Sequence, residues 1–406
     1  MALTGRSLVL AMCVGQVGNL VAHVVVPAVM AQHLMPLWGL SASEAGLMAS
    51  AYAIGYMLAV PVLTTLTDRI DARFILLAGS ALSGLATMAF GLFADGLTSA
   101  ILLWALAGIG FAGAYMPGLR ALTDRLGPGD ISRSVTMYTA TFSFGVGLSF
   151  LASQLIADHW GWRYAFLLTG FGPLAMIAAC LGMAPVRPAA PRAGLLDFGS
   201  VLRNRTAMGY ILGYGAHCFE LYGLRTWIVA FWAFVVAHNG GSALLEPVTV
   251  SFLVAVLAMP SSILGNEAAL RWGRHLAIAL AMLVSALIAV IIGLAAASAP
   301  AFLLALLLVY AITVPADSGA LTSGMSASAE PAVRGATMAM HSTVGFGLSA
   351  LGGWAVGVAL DAGGGPATAS GWLAGFLVMA AGTAVGPLAL WWSRRGPQSR
   401  APGRAA

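Results

Sequence analysis

Three side chains that can bind a proton or carry charge fall within one apolar run, as His217, Glu220 and Arg225 of the segment HCFELYGLR. A carboxyl group can gain or lose a proton, and an arginine presents a planar fork of donors that matches a carboxylate. A charge at mid-bilayer costs about 2.5 to 3.5 kcal/mol on insertion scales, so such a residue normally faces protein or a water-filled cavity. If the run crosses a membrane, the segment predicts a binding or coupling site.

Helical geometry separates the three side chains. His217 and Glu220 are three residues apart and share a face. Arg225 lies about 140° around the helix from Glu220 and about 7.5 Å further along it, which argues against an ion pair within the helix. We therefore expect each charge to meet another helix or a ligand. Glu220 is our candidate for a proton-coupling carboxylate, and Arg225 for the group that holds an anionic substrate. Static pairing of Glu220 and Asp317 with arginines is the alternative.

Other apolar runs carry polar residues at helical spacing. The first apolar run has one stripe of polar residues, and the tenth run, 300–322, has another that ends in an aspartate. A further run adds Thr337 and a histidine, and for the histidines the alternative to titration is hydrogen-bonded packing. The remaining candidate residues for substrate binding or coupling are Gln16, Asn19, His23, Tyr310, Thr313, Asp317 and His341.

The composition of the chain requires a membrane. Hydrophobic residues make up 60% of the 406 residues and charged residues only 8%, whereas a soluble domain is about a quarter charged. Apolar runs of about 20 residues match the bilayer at 1.5 Å per helical residue, and they are too long for barrel strands. The sequence predicts an all-α protein with twelve transmembrane helices at 8–30, 44–65, 74–94, 98–121, 135–157, 164–183, 208–236, 247–267, 275–297, 300–322, 336–360 and 370–392.

The net charge of +5 is explained by topology. The chain has no lysine, and with the N-terminus inside only Arg163 and Arg225 fall outside the cytoplasmic segments. This is the positive-inside pattern, so both termini are predicted to be cytoplasmic and no nucleic-acid partner is expected. The lack of lysine suggests a bacterial inner membrane. The inside arginines are Arg6, Arg69, Arg73, Arg120, Arg125, Arg133, Arg187, Arg192, Arg203, Arg205, Arg271, Arg274, Arg334, Arg394, Arg395, Arg400 and Arg404.

An internal repeat divides the chain into two halves. At an offset of about 200 residues, Pro61 recurs as Pro260, Pro117 recurs as Pro315, and GVGLS recurs as GFGLS. Each copy holds six helices, so both enter the membrane from the same side as parallel repeats. We expect two pseudo-symmetric six-helix bundles, 1–183 and 208–406, joined by a cytoplasmic linker at 184–207. Within the linker, Leu195, Leu196, Phe198, Val201 and Leu202 suggest an amphipathic surface helix, with a plain connector as the alternative.

Three short motifs resemble the major facilitator superfamily. TDRIDAR at 67–73 is similar to that family's G-x-x-x-D-R-x-G-R-R loop between helices two and three, with Asp71 in place of the usual glycine. RWGRH at 271–275 is its partial copy in the second half, and WGWRYAF at 160–166 resembles the start of the family's sixth helix. The resemblance implies a cavity lined by helices one, four, seven and ten. It also implies a cytoplasmic gate formed by Asp68, Arg69, Arg73, Arg271 and Arg274, for whose arginines solvated topogenic charge is the alternative.

The same resemblance narrows the subclass. Drug exporters of the family carry an arginine in helix four where this chain has Trp104, and their helix-five G-x-x-x-G-P is missing. AHCFELYGLRTW loosely resembles members near the nitrate and cyanate transporter branch. We expect a monomeric secondary transporter, first a proton-coupled symporter or uniporter of a small anion, with efflux of amphipathic compounds or a non-transporting sensor as alternatives. No cofactor, metal site or enzymatic activity is expected, since no metal-ligand or nucleophile motif is present.

Overall fold

The computed structural model describes residues 3–127, 131–188, 198–241, 244–330 and 333–394. Arg192, Arg395, Arg400, Arg404, Leu195 and Leu196 lie outside the described residues. Within them the chain is helical, apart from turns and one isolated bridge between Leu3 and Met183. Helices satisfy every backbone donor and acceptor internally, which is why long apolar runs take this form in lipid.

Twelve stretches of the described chain are long and apolar enough to cross a membrane when one bent pair counts as a single span. This confirms the predicted all-α, twelve-helix architecture. The expected division at 1–183, 184–207 and 208–406 remains a prediction. In chain order, spans 1 to 12 are Gly5–Val21 with Val25–Trp38, Ala42–Leu66, Ala72–Phe93, Leu97–Thr123, Arg133–Trp160, Trp162–Leu181, Arg205–His238, Pro247–Trp272, Arg274–Leu294, Pro300–Ser328, Arg334–Ala362 and Ala369–Arg394.

Because successive spans alternate in direction, the molecule has two distinct membrane faces. We call the face with the loops after spans 2, 4, 6, 8 and 10 the terminus side, and the opposite face the far side. On the far side, span 2 begins with a capping box in which Ser41 Oγ accepts from the Glu44 amide and Glu44 accepts from the Ser41 amide. Such a box fixes the first helical turn by satisfying two amides that have no partner within the helix.

Span 1 is longer than the predicted 8–30, and it is bent by 46°. The bend follows from Pro27, which has no amide to offer the carbonyl of His23 and collides with it. Helix is interrupted at residues 22–24, and the freed Val24 amide donates to Ser149 Oγ at 3.1 Å. The break therefore leaves His23 at an irregular point in the middle of the membrane span.

Span 10 contains a second irregularity. Pro315 lies in a short 3-10 turn, Val314–Asp317, between the helices Pro300–Thr313 and Ser318–Ser328. A 3-10 turn within a longer helix often marks a hinge or a functional position. The turn ends at Asp317, one of the predicted site residues.

The two halves meet along two pairs of spans. Spans 2 and 11 approach closely where Gly46 lies against the backbone of Gly353, and Trp227 Nε1 of span 7 donates to the Gly353 carbonyl at 2.9 Å. Spans 5 and 8 meet where Gly147 faces Phe252 and where Gln154 Nε2 donates to Ser251 Oγ at 2.9 Å. Small residues permit this close approach.

A short helix, Phe198–Arg203, precedes span 7. Val201 is buried and Leu202 is exposed, and Asn204 Nδ2 donates to the Ser328 carbonyl at 2.8 Å. The described end of the predicted linker is therefore a short amphipathic helix that packs against spans 11 and 7, and Asn204 after it bonds to the end of span 10.

Candidate functional site

A cavity of about 550 Å³ lies between the two halves. It extends from the middle of the membrane toward the terminus side, since its wall includes Thr136 near the start of span 5 and Ser323 near the end of span 10. Spans 4, 5, 7, 8, 10 and 11 contribute to the wall. Hydroxyl side chains occupy its wider part and aromatic rings its inner part. A space of this size accommodates a small organic molecule.

Arg225 lies at the inner part of this cavity. Its side chain is buried, with only 6% of the residue exposed. The guanidinium lies 5.7 Å from the centre of the Phe142 ring and 5.4 Å from that of Tyr222, which are cation–π distances. Among the described residues, no carboxylate oxygen lies within 4.0 Å of its nitrogens. The predicted separation of Arg225 from Glu220 therefore agrees with the geometry.

A buried histidine–aspartate pair lies at the same wall, to which His217 contributes directly. His217 Nδ1 lies 2.7 Å from Asp317 Oδ1, and both side chains are 2% exposed. Tyr214 stacks on His341 with ring centres 3.9 Å apart, and its ring lies 5.6 Å from that of His217. Spans 7, 10 and 11 thus bring together three of the predicted site residues.

Glu220 lies behind the cavity wall, within the second half. Its Oε1 accepts hydrogen bonds from Ser285 Oγ at 2.8 Å and from Tyr310 Oη at 2.9 Å, and the residue is 1% exposed. Thr313, one turn further along span 10, donates to the Tyr310 carbonyl at 3.2 Å. Glu220 and Tyr310 are therefore neighbours, but the carboxyl group contacts neutral hydroxyls instead of Arg225.

The polar stripe of span 1 lies mainly inside the first half. Gln16 Oε1 accepts from Tyr138 Oη at 2.8 Å, and Asn19 is fully buried. His23, at the break in the span, is surrounded by aromatic rings and has its Nε2 3.4 Å from Tyr222 Oη. His23 and Arg225 share a small enclosed space of about 20 Å³. Of the three stripe residues, His23 is the one that the structure brings to Arg225.

The predicted gate residues lie on the terminus side without a contact between the halves among the described residues. Asp68 Oδ1 lies 3.7 Å from Arg120 Nη1 of its own half, and Arg73 Nη1 donates to the Met183 carbonyl. Arg69 and Arg271 are exposed. Arg274 lies beside Tyr210 of span 7, at the same face of the second half. This arrangement fits a molecule whose terminus side is open.

The strongest ion pair at that face involves Asp71, which occupies the glycine slot of the motif and was not among the predicted gate residues. Arg125 Nη2 donates to both of its carboxylate oxygens at 2.7 and 2.8 Å, and the Val186 amide donates to Oδ2 at 2.8 Å. Burial raises the pKa of the Asp71 carboxyl, but the bonds from Arg125 and from the Val186 and Arg73 amides outweigh burial and hold this pKa below its ordinary value.

At the far side, the two halves are joined by a contact that sequence reasoning missed. Asp361, at the end of span 11, accepts from the amides of Ala42 at 2.9 Å and Ser43 at 2.7 Å. These amides begin span 2, where the helix dipole favours an anion. Nearby, Ser50 Oγ donates to the Ala350 carbonyl. The sequence does show an aspartate directly after the apolar run 336–360, but it does not show which helix that aspartate contacts.

In the described part of the chain, no group of three or more His, Cys, Asp or Glu side chains is arranged to hold a metal ion. Cys13, Cys180 and Cys218 are buried free thiols.

Similar proteins are membrane transporters. A 4-hydroxybenzoate transporter, PcaK, of Acinetobacter baylyi is 28% identical over 149 residues, which is 36% of this chain and 32% of the relative. A gallate transporter of Pseudomonas putida is 30% identical over 156 residues, which is 38% of this chain and 34% of the relative. The alignments thus span about a third of these curated relatives.

The fold is also known from solved structures. A bacterial homologue of the human lysosomal transporter Spinster, in an inward-facing and occupied conformation, superimposes with a TM-score of 0.78 at 17% identity and with 98% of each chain covered. Twelve spans in two halves around a central charged cavity define a polytopic membrane protein of the two-bundle class. Residues 8–353 match the family described as Major Facilitator Superfamily, and the chain belongs to that family. The resemblance inferred from TDRIDAR and its companion motifs is thereby confirmed, and family and fold neighbours are transporters, not enzymes.

Proposed function

We propose that the protein is a secondary transporter that moves a small aromatic carboxylate across the membrane by alternating access. The two halves would rock about the cavity, exposing it to one side at a time. Arg225 would hold the carboxylate, and the aromatic rings next to it would hold the ring of the substrate.

The observation that carries the proposal is that Arg225 is buried at the cavity without a carboxylate partner among the described residues. A buried charge is strongly unfavourable unless it is paired, and no carboxylate of the described residues lies within 4.0 Å of this guanidinium, whose neighbours are the rings of Phe142 and Tyr222 and the Tyr222 hydroxyl group. The group also lines a cavity large enough for a small molecule. An anionic ligand would supply the missing partner through two parallel hydrogen bonds.

The rest of the inner cavity favours an aromatic anion over an inorganic one. The rings of Phe142 and Tyr115 are tilted by 60° with centres 5.2 Å apart, and the ring centre of Tyr222 lies 5.8 Å from that of Phe346. Rings at these distances offer offset or edge-on contacts to another ring. Ser262, Ser318 and Ser323 offer hydroxyl groups further out. The names of the relatives, transporters of 4-hydroxybenzoate and gallate, are consistent with a hydroxylated aromatic acid.

The alternation of access is supported by the asymmetry between the two faces. Asp361 holds the start of span 2 at the far side, whereas the cavity extends toward the terminus side. The chain carries no nucleotide-binding loop in its sequence, so we propose that an ion or substrate gradient drives transport, with the proton as the coupling ion.

Orientation and location are part of the proposal. Arginine is concentrated in the segments that join the spans on the terminus side, which the positive-inside rule assigns to the cytoplasm. We therefore propose a monomer in a bacterial inner membrane with both termini cytoplasmic. In this orientation the described conformation is open inward.

Binding of 4-hydroxybenzoate to the purified protein tests the proposal. Arg225→Gln should raise the Kd by about 100-fold, a loss of about 3 kcal/mol in binding free energy, because it removes a charge-assisted contact made of two hydrogen bonds. Arg225→Lys should recover part of the loss, since it keeps the charge but not the fork. Arg163→Gln is the matched control, because Arg163 donates to the carbonyls of Gly91 and Leu92, outside the cavity wall.

Related ligands test the carboxylate contact and the aromatic contact separately. Benzyl alcohol, which lacks the anion, and cyclohexanecarboxylate, which lacks the aromatic ring, should both bind more weakly than benzoate. Equal affinity of wild type and Arg225→Gln for 4-hydroxybenzoate would refute the role of Arg225. Absence of any carboxylate uptake by wild-type proteoliposomes would refute the transport assignment itself.

A further inference from the structure

We propose that His217 and Asp317 together form the proton-binding site that couples transport, and that Glu220 is a structural carboxyl outside the coupling step. This inference rests on the proposed function, which it extends from the substrate to the driving ion.

Geometry distinguishes the pair from Glu220. His217 is part of the cavity wall, and so are Pro315 and Ser318, which lie on either side of Asp317 along the chain. The pair is buried, yet it lies at the boundary of the cavity, from which a proton can arrive through water. An imidazole 2.7 Å from a carboxylate is suited to bind that proton, since histidine is the side chain whose ordinary titration range includes neutral pH.

Charge balance explains why the pair would respond to substrate. With a neutral imidazole the pair carries one buried negative charge, and with a protonated imidazole it is a neutral ion pair. Arg225 opposes protonation while its charge is uncompensated, because it lies eight residues along span 7, about 12 Å away by helical rise. When an anion binds Arg225, that opposition is removed.

The size of the coupling follows from Coulomb's law. At about 12 Å and an effective dielectric constant of about 20, neutralising Arg225 changes proton affinity by about tenfold. Linkage is reciprocal, so protonation of the pair should tighten anion binding by the same factor. Anion and proton therefore favour each other's binding, which is the thermodynamic requirement for symport.

Other titratable groups surround the pair, and any of them could modify its response. Tyr214 and Cys218 lie on span 7 with it, and His341 faces it from span 11. Among the described residues, further titratable or charged groups near the pair are Glu220, Tyr222 and Arg225 of span 7 and Tyr115 of span 4.

Glu220 differs from the pair in both access and partners. Ser285 and Tyr310 donate to one of its oxygens, and Glu220, unlike His217, is not part of the cavity wall. A glutamine amide oxygen can accept the same two bonds. Glu220→Gln therefore serves as the matched control for a buried carboxyl that does not take part in coupling.

Proteoliposomes loaded and assayed with 4-hydroxybenzoate separate coupling from transport. In His217→Gln and Asp317→Asn, accumulation driven by an imposed pH gradient should fall much further than substrate exchange at equal pH. Glu220→Gln should retain both. Accumulation by His217→Gln equal to wild type, or selective loss of accumulation in Glu220→Gln, would overturn the assignment. Absence of exchange in wild type would instead count against the proposed function.

A second measurement does not depend on transport. Binding of 4-hydroxybenzoate to purified protein in weakly buffered solution should take up protons in the wild type and in Glu220→Gln, and this uptake should be lost in His217→Gln and Asp317→Asn. Proton uptake on binding that is unchanged in His217→Gln would overturn the inference even if transport is never observed.

Discussion

Asp361 offers the sharpest test of how the far side is sealed. Its carboxylate is the one acidic group in the described residues that bonds across the two halves, through the Ala42 and Ser43 amides at 2.9 and 2.7 Å. Asp361→Asn keeps one acceptor oxygen but removes the charge that faces the positive end of span 2. We expect this substitution to destabilise the sealed far side relative to its open form.

The expected size follows from the position of the group. An anion at a helix N-terminus contributes about 0.3 to 1 kcal/mol when it is accessible to solvent, and Asp361 is exposed. One of two hydrogen bonds remains in the asparagine variant, so we expect a loss of about 1 kcal/mol. That energy corresponds to about a fivefold increase in the ratio of open to sealed far-side conformations.

Electron–electron double resonance in nanodiscs measures this ratio. Spin labels at Trp160 and Ala299, exposed far-side positions in different halves, should show a longer-distance population that grows in Asp361→Asn. The background would have the three buried cysteines replaced. Asp95→Asn is the matched control, because Asp95 accepts from Ser99 of its own half. An unchanged distance distribution in Asp361→Asn would refute the idea that this cap holds the far side shut.

Two further predictions concern stability. Asp71→Asn should lower the melting temperature in detergent at neutral pH by a few degrees, since it breaks a buried ion pair with Arg125. Because the pKa of Asp71 is below its ordinary value, its contribution is present above that value and is lost as pH falls through the lowered pKa, so the variant's acid-induced loss of melting temperature should be smaller than that of wild type. Asp68→Asn, at a half-exposed pair, should change little; equal effects of both substitutions would contradict this account. Ser149→Ala should destabilise the protein by about 1 to 3 kcal/mol, because the Val24 amide at the break in span 1 loses its acceptor; an unchanged melting temperature would show that another group satisfies that amide.

The number and order of the spans were predictable because membrane insertion depends on the summed hydrophobicity of a run of residues, which can be read directly from the sequence. A run such as 275–297 is apolar throughout, and its helix, Arg274–Leu294, follows almost directly. The breaks were harder to foresee. Pro27 and Pro315 are visible in the sequence, but many transmembrane helices retain a proline as a kink, as span 4 does with Pro117. Whether a proline interrupts a helix depends on which neighbouring groups satisfy the backbone carbonyls and amides that lose their helical partners.

The site was predictable in one respect and not in another. The cost of burying charge drew attention to helix seven, and Arg225 and His217 line the cavity, although their roles remain predictions. Their partners could not be read from periodicity, because spacing fixes the face of a helix but not what the face meets. Glu220 shares a face with His217, yet it bonds to Ser285 of span 9 while His217 meets Asp317 of span 10. The aromatic faces of Phe142 and Tyr222 around Arg225 were missed for the same reason.

The irregular turn of span 10 connects the histidine–aspartate pair to the two helical segments of that span. Asp317 is the last residue of the 3-10 turn that Pro315 imposes, so its backbone is held by fewer regular helical bonds than that of a mid-helix residue. Neutralising the buried negative charge changes how strongly Asp317 is attracted to His217 of span 7. Since the turn connects the two helical segments of span 10, a change in that attraction can alter the angle between them. Proton binding at the pair would then act on the shape of the wall that faces the substrate, which is a direct route from charge to alternating access.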